Sequence, residues 1–300
     1  MGAMASPFRM PVFVAALLCM TVVPAALSNP NVVLIGDAYR GVLLRGLAGQ
    51  EHSEIRRVDG VYELVVKSVG MTVRSLAPGG SVTSMANLLH ASDIALIVVD
   101  STAGPAPAIR EHILIARQAR VPMLAMLLAN VEALYAGAPE EAVELLAMET
   151  QEIRALLSTY DLDGNSVLVY QDAKIPQAVE GIAAFGIRDT LRALSRFAPR
   201  RAHAKGMGSA SEIWGAVYLL TELEADGHAV SLAPKDSLVV WSEGTQSKAM
   251  LASRTQYHPG DFREMPLSME APLKGMEGSR ILLVSGDRVV GLGDITQFGR

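Results

Sequence analysis

The chain has 300 residues, of which 50% are hydrophobic and 19% are charged, so it can form two packed domains and is not a disordered polymer. Its formal net charge of −5 argues against a protein that binds nucleic acid through a broad basic surface. A single cysteine, Cys19, excludes an internal disulfide bond.

Residues 1–28 differ in composition from the rest of the chain. Their only charged side chain is Arg9, and an apolar run at residues 11–26 follows it. The triplet Ala26-Leu27-Ser28 supplies the small residues of a secretory cleavage site, so the pattern predicts a signal peptide and an exported protein, periplasmic or secreted. The alternative is a membrane anchor that tethers the protein through residues 11–28. If the segment is neither, the protein is cytoplasmic.

From residue 29 to residue 200, short apolar runs alternate with segments of helical periodicity. Strands that alternate with such helices predict an α/β domain with a mostly parallel sheet and helices on both faces. The predicted strands are Asn31–Ile35, Val61–Val66, Thr72–Leu76, Ile94–Val99, Met123–Leu128 and Val167–Tyr170. In the last helical segment, the repeating apolar face comprises Val143, Leu146, Thr150, Ile153 and Leu157.

The composition and residue pattern of the sequence change after residue 200. Small and basic residues at 201–210 predict a linker, and the segments that follow it are separated by Gly and Pro instead of helices. Six short strands in succession predict a small all-β barrel over residues 211–300. These strands are Ile213–Leu220, Leu238–Trp241, Ala249–Ala252, Pro266–Glu270, Arg280–Val284 and Val289–Thr296.

Two groups of segments resemble the elongation factor Tu family of translational GTPases, in the family's order. The first group is similar to the GTPase domain after its switch II motif and comprises Ser92–Asp100, Gly104–Pro107, Arg110–Leu114 and Glu149–Asp161. The second is similar to the family's third domain and comprises Val217–Leu220, Asp226–His228, Pro259–Asp261 and Arg288–Gly293. The resemblance implies a P-loop-NTPase-like domain and a C-terminal β-barrel. The family's second domain has no room in the linker.

The segment after the first predicted strand resembles the family's phosphate-binding P-loop without its functional side chains. Gly36 and Gly41 keep the spacing of the loop's glycines. Val42 stands where the family has the Lys that contacts phosphate, and Leu43 stands where it has the Thr that holds magnesium. Glycines at such positions also serve an ordinary strand-to-helix turn that binds nothing.

Two charged residues of this segment bear on phosphate binding. Asp37 adds a negative charge beside the expected phosphate, which disfavours an anion. Arg40 is a cation that could replace the missing Lys, although it stands at a different position of the loop. Switch I has no counterpart of its threonine between residues 49 and 61.

The remaining nucleotide motifs of the family are incomplete as well. At the switch II position, Pro78-Gly79-Gly80 keeps a turn but lacks the Asp that holds magnesium and the His near the attacking water. Asn130 and Glu132 stand at the guanine-binding motif, where the acid is one carbon longer than the family's Asp and the Lys is missing. Of the final motif, only Ala173 remains.

No other catalytic or metal-binding pattern stands out. The six histidines are scattered, and His112 is interpreted as a packing or surface residue because a lone imidazole does not make a metal site. We therefore identify no catalytic residue, no metal ligand and no resident cofactor. The positions where a nucleotide would lie in the family are Gly36, Asp37, Arg40, Gly41, Pro78, Gly79, Gly80, Asn130, Glu132 and Ala173.

The favoured hypothesis is a non-catalytic pseudo-GTPase that engages a protein partner, whose identity the sequence does not reveal. Binding of tRNA and the ribosome is not favoured, since the family's second domain is missing and the turn at Asp226-Gly227-His228 lacks the family's Arg. The alternative is a divergent elongation factor that binds GTP or GDP with magnesium and hydrolyses GTP weakly, using Arg40. A paralogue without a function of its own is the third hypothesis.

Overall fold

The computed structural model describes residues 30–176, 180–197 and 207–299. Residues 1–28, for which the sequence predicts a signal peptide or an anchor, lie outside these ranges, as do residues 201–206 of the predicted linker. No helix within the described ranges is long and apolar enough to cross a membrane.

Eight strands of the first part of the chain form one sheet. They are β1 (Asn31–Gly36), β2 (Arg56–Val58), β3 (Val61–Val66), β4 (Met71–Leu76), β5 (Ile94–Asp100), β6 (Met123–Ala129), β7 (Leu168–Gln171) and β8 (Ile182–Phe185). Their spatial order is β2-β3-β4-β1-β5-β6-β7-β8. The sheet is mixed, because β2, β3 and β4 pair antiparallel whereas all pairs from β4 through β1 to β8 are parallel.

Helices cover both faces of this sheet, as predicted. Along β1, Val33 and Ile35 point to one face, and Val32 and Leu34 point to the other, so each face has its own apolar core. The first core packs under α2 (Val82–His90), α3 (Ala108–Gln118), α4 (Val131–Gly137) and α5 (Ala142–Thr159). The second packs under α1 (Arg40–Glu51) and α6 (Ile187–Leu194).

All six strands predicted for this sheet are confirmed, within a residue or two of their ends. The prediction missed β2 and β8. All three residues of β2 are exposed and two are arginines, so no apolar alternation marks it. In β8 no residue is fully buried, which again removes the signal.

Six further strands close into an antiparallel barrel in the order β10-β11-β12-β9-β14-β13, which confirms the predicted barrel. They are β9 (Gly208–Leu219), β10 (Ser237–Ser242), β11 (Thr245–Leu251), β12 (Phe262–Gly275), β13 (Arg280–Ser285) and β14 (Arg288–Phe298). β9 begins inside the predicted linker, because Gly208 to Ala210 pair with the end of β12 beyond a register shift.

The barrel packs against α2 and α3 of the first unit. Trp241, Leu282 and Leu292 belong to the same apolar core as these two helices. The buried Gln118 side chain donates hydrogen bonds to the carbonyl oxygens of Ile281 at 2.8 Å and Gly293 at 3.0 Å. A buried side-chain amide that bonds to two backbone carbonyls favours one position of the barrel on α3.

Polar contacts at the edge of this interface hold both helices. The Asp287 carboxylate accepts a hydrogen bond from the Val82 N–H at 2.9 Å and so caps α2. Glu111 of α3 accepts one from the Val289 N–H at 3.0 Å. The Trp241 indole donates to the Asn87 side chain at 2.7 Å.

Gly36 is required by the packing of β1 on β5. It has φ +95, and a Cβ atom there would lie 2.3 Å from the Val98 carbonyl oxygen. We expect Gly36→Ala to lower the free energy of unfolding by about 2 kcal/mol or more, measured by urea denaturation. Gly41→Ala is the matched control, since its Cβ would have only the Arg45 side chain nearby, at 3.6 Å, and Ala favours the helix by up to about 1 kcal/mol. Equal losses in both variants would contradict this account.

Candidate functional site

The candidate nucleotide residues meet at one edge of the sheet. The turns at this edge follow the carboxyl ends of β4, β1, β5, β6 and β7, where ligands bind in open α/β sheets. Gly36, Asp37, Arg40 and Gly41 lie between β1 and α1. The other candidates follow β4, β6 and β7 at the same edge.

The backbone amides of the β1–α1 turn are occupied by hydrogen bonds within the protein. Gly36 N–H donates to Nδ1 of His112 at 2.9 Å, and Asp37 N–H donates to a carbonyl of β5 at 3.0 Å. The N–H groups of Arg40 and Gly41 donate to carbonyls of the turn itself, at 3.2 and 3.1 Å. A P-loop cradles phosphate with such amides, and here these four are already paired.

Arg40 turns back onto the same segment. Its Nη1 donates to the Gly36 carbonyl at 2.7 Å and to the Asp37 carbonyl at 3.1 Å. Burial lowers the pKa of Arg40, and the nearby Asp37 charge opposes that change. The guanidinium therefore satisfies carbonyl groups of the turn, and it does not project from it as a phosphate-binding Lys would.

His112 of α3 accepts the hydrogen bond from Gly36 N–H in the turn. Desolvation lowers the pKa of His112 to about 4, and the charge of Arg40 acts in the same direction. The imidazole is therefore neutral at pH 7, which its role as an acceptor from Gly36 N–H requires. The sequence indicated only a packing or surface residue here.

Asp37 faces the protein interior instead of a ligand. It is 7% exposed, and its Oδ2 accepts a hydrogen bond from Asp100 N–H at 2.7 Å. Burial raises the pKa of Asp37, while bonds from the amides of Asp100 and Ala106 oppose the rise. The carboxylate thus joins the end of β1 to the end of β5.

The ends of β6 and β7 are joined in a similar way. Asp172 accepts hydrogen bonds from Asn130 N–H at 2.6 Å and from Val131 N–H at 3.2 Å, so it caps α4. The Asn130 side chain donates to Asp100 Oδ1 and Thr102 Oγ1, both at 3.2 Å. Asn130, one of the two residues expected to contact a base, is therefore used between strand ends.

The other candidates lie on the surface of this edge. Glu132 is exposed in the first turn of α4, and it makes no hydrogen bond or ion pair within the described residues. Ala173 gives its N–H to the Asp172 carboxylate. Pro78-Gly79-Gly80 is an exposed turn between β4 and α2, and Gly79 has φ +76. None of these residues encloses a base or a phosphate.

A buried acid of α5 adds to the charge at this edge. Burial raises the pKa of Glu149, and the charges of Asp100 and Asp37 raise it further, while the Ser101 hydroxyl favours ionisation. Glu149 Oε2 is buried and outside hydrogen-bond geometry with any described atom. Burial raises the pKa of Asp172 as well. Because this edge already disfavours the negative charge of its own carboxylates, it also disfavours a bound polyphosphate.

The sequence analysis did not identify Asp100 and Glu149 as members of the site. The fully buried residues of α5 are Ala142, Leu146, Glu149, Ile153 and Leu157. Of the other predicted positions, Val143 is partly buried against the same core, and Thr150 is only partly buried. The predicted face included Thr150 and not Glu149, and a charged residue is rarely buried. The helical spacing from Leu146 to Ile153 was the signal that could have found it.

A cleft of about 540 Å³ opens between α1 and α6, beside the candidate site. Its polar lining mixes both charges, since Asp172 and Asp189 face Arg188 and Arg192. Among the described residues, no group of three or more His, Cys, Asp or Glu side chains could hold a metal ion. No family model matches the chain.

The buried Glu149 predicts a pH-dependent stability. Its pKa is raised in the folded protein, so its contribution is favourable below the unfolded pKa and is lost as the pH rises through the folded pKa. We expect Glu149→Gln to stabilise the protein at pH 7 by on the order of 1 kcal/mol, with the gain vanishing towards pH 4. Chemical denaturation at both pH values measures it.

Glu270→Gln on the exposed side of β12 is the matched control and should change stability by no more than a few tenths of a kcal/mol at either pH. A Glu149→Gln variant that is less stable than the parent at pH 7 would show that the carboxylate is favourably paired.

Proposed function

We propose that this chain is a non-catalytic, protein-binding protein built like elongation factor Tu, a pseudo-GTPase whose nucleotide site is replaced by internal bonds. The observation that carries the proposal is the pairing of four turn amides, those of Gly36, Asp37, Arg40 and Gly41, together with the inward position of Arg40. Phosphoryl transfer depends on groups that position and neutralise phosphates. Here the four bonded turn amides and the Arg40 guanidinium already have partners within the protein.

The architecture supports the family part of the proposal. The position of β1, the turn and α1 at the centre of a largely parallel sheet is consistent with a P-loop-NTPase-like domain. A closed barrel follows this domain in the chain. The sequence landmarks that resemble elongation factor Tu lie in both units and in the family's order. A scaffold of this kind can persist after its chemistry is lost, because buried apolar positions depend on packing alone.

The arrangement of the two units supports a binding role. The α2–α3 face is bound to the barrel through Gln118, Glu111 and Asp287, so the two units present their surfaces together. We propose a protein partner for these surfaces, without a role for tRNA or the ribosome. Residues 1–28 would export the protein or tether it to a membrane through residues 11–28, and otherwise it acts in the cytoplasm.

Nucleotide titration tests the proposal. Calorimetry with millimolar GTP or GDP and magnesium should show no binding to the parent chain. Val42→Lys should behave in the same way, because it restores the missing charge at a residue that is 44% exposed but leaves the turn amides paired. Micromolar affinity of the parent would overturn the proposal, and binding gained by Val42→Lys would show that the closed turn is not what prevents it.

The divergent-GTPase alternative requires Arg40 to act on phosphate. It predicts single-turnover GTP hydrolysis above the uncatalysed rate that disappears in Arg40→Ala. The proposed function predicts no hydrolysis above that rate in the parent, in Arg40→Ala, or in Arg45→Ala, which changes an exposed cation of the same helix. Hydrolysis that depends on Arg40 and not on Arg45 would establish the alternative.

A further inference from the structure

An apolar pocket of about 550 Å³ lies at the opposite, amino edge of the sheet. It is formed where β6 and β7 begin and where the chain leaves α6. Its apolar lining includes Val121, Met123, Leu124, Leu162, Leu168 and Phe197. A volume of this size accommodates several apolar side chains or one small ligand.

The pocket favours an apolar occupant. Phe197 is 44% exposed, although aromatic side chains are usually covered. The polar residues of the lining, Asp163 and Ser166, bond to each other's turn: Ser166 N–H donates to Asp163 Oδ1 at 3.3 Å, and Ser166 Oγ donates to the Asp163 carbonyl at 3.2 Å. They are therefore committed to the short 3-10 turn at Gly164–Ser166, and the remaining lining offers burial of apolar surface.

The described chain begins close to this pocket. Asn31 is held at the amino edge by Asp93, whose Oδ2 accepts from Asn31 N–H at 2.9 Å. In register, Val32 pairs with Ile94, which pairs with the lining residue Met123. Two strand spacings separate β1 from β6, about 10 Å. Residues 27–30 can span about 13 Å when extended, so the apolar run at 11–26 can reach the pocket.

We propose that, in the chain that retains residues 1–28, this pocket holds apolar side chains from the run at residues 11–26 of the same molecule. The run contains no charged residue, and leaving it in water is unfavourable in proportion to its apolar area. The pocket is an apolar receptor within reach of the point where the described chain begins. A membrane and the pocket then compete for one segment. The inference rests on this geometry and is independent of the proposed function.

Cys19, the chain's only cysteine, lies within the run and allows a direct test. The purified full-length chain is labelled there with a benzophenone maleimide, irradiated without detergent, and mapped by mass spectrometry. We expect intramolecular adducts on the peptides that contain residues 121–124, 162–168 or 197. Adducts on other surfaces, or adducts between two copies, would overturn the proposal.

Two substitutions of exposed phenylalanines give a matched comparison. Phe197→Glu places a charge in the pocket and should reduce the pocket adducts by about tenfold or more. Phe262→Glu changes a barrel residue that is 69% exposed and should leave them unchanged. Both variants are first shown to unfold near the parent's temperature. Pocket adducts that persist in Phe197→Glu, or that fall equally in Phe262→Glu, would contradict the inference.

Discussion

The close approach of Gly36 to β5 is the constraint on which the candidate site depends. The left-handed conformation of Gly36 directs the next N–H to the Val98 carbonyl at 3.0 Å, and the Asp37 carboxylate then meets Asp100 N–H at 2.7 Å. With Asp37 held there, the carbonyl groups of Gly36 and Asp37 accept hydrogen bonds from the Arg40 guanidinium. The packing of β1 on β5 therefore requires a glycine at this position, whatever the turn binds.

Bonds within the protein also join the other strand ends along this edge. Asp172 caps α4, and Asn130 bonds to Asp100 and Thr102, so neither presents a free group to a base. Acids placed in this way are stabilised individually by amide donors, yet burial still raises the pKa of Asp37 and Asp172. Most polar groups of the edge bond within the protein, but Glu149 Oε2 is buried without a hydrogen-bond partner among the described atoms, so the edge is poorly suited to a further anion. The barrel contact is equally self-contained, because protein groups alone cap α2 and hold Gln118.

Sequence patterns predicted the parts of the fold that apolar periodicity controls. The buried strands, from Asn31–Gly36 to Leu168–Gln171, and the six barrel strands were all found, since each carries a strong burial signal. β2 was missed because its exposed arginines give no such signal. The roles of His112 and Asp37 could not be predicted, because their bonds join residues 76 and 63 positions apart in the chain. Only the folded sheet brings those partners together.

The central claim is that four amides of the β1–α1 turn, those of Gly36, Asp37, Arg40 and Gly41, are bonded within the protein. Hydrogen exchange, followed residue by residue by NMR, tests this most directly. The account predicts that the amides of Gly36, Arg40 and Gly41 are protected in the nucleotide-free protein and that millimolar GTP with magnesium does not change their exchange rates. Fast exchange that slows on addition of GTP would mean that the turn is an open phosphate cradle, and it would contradict the account.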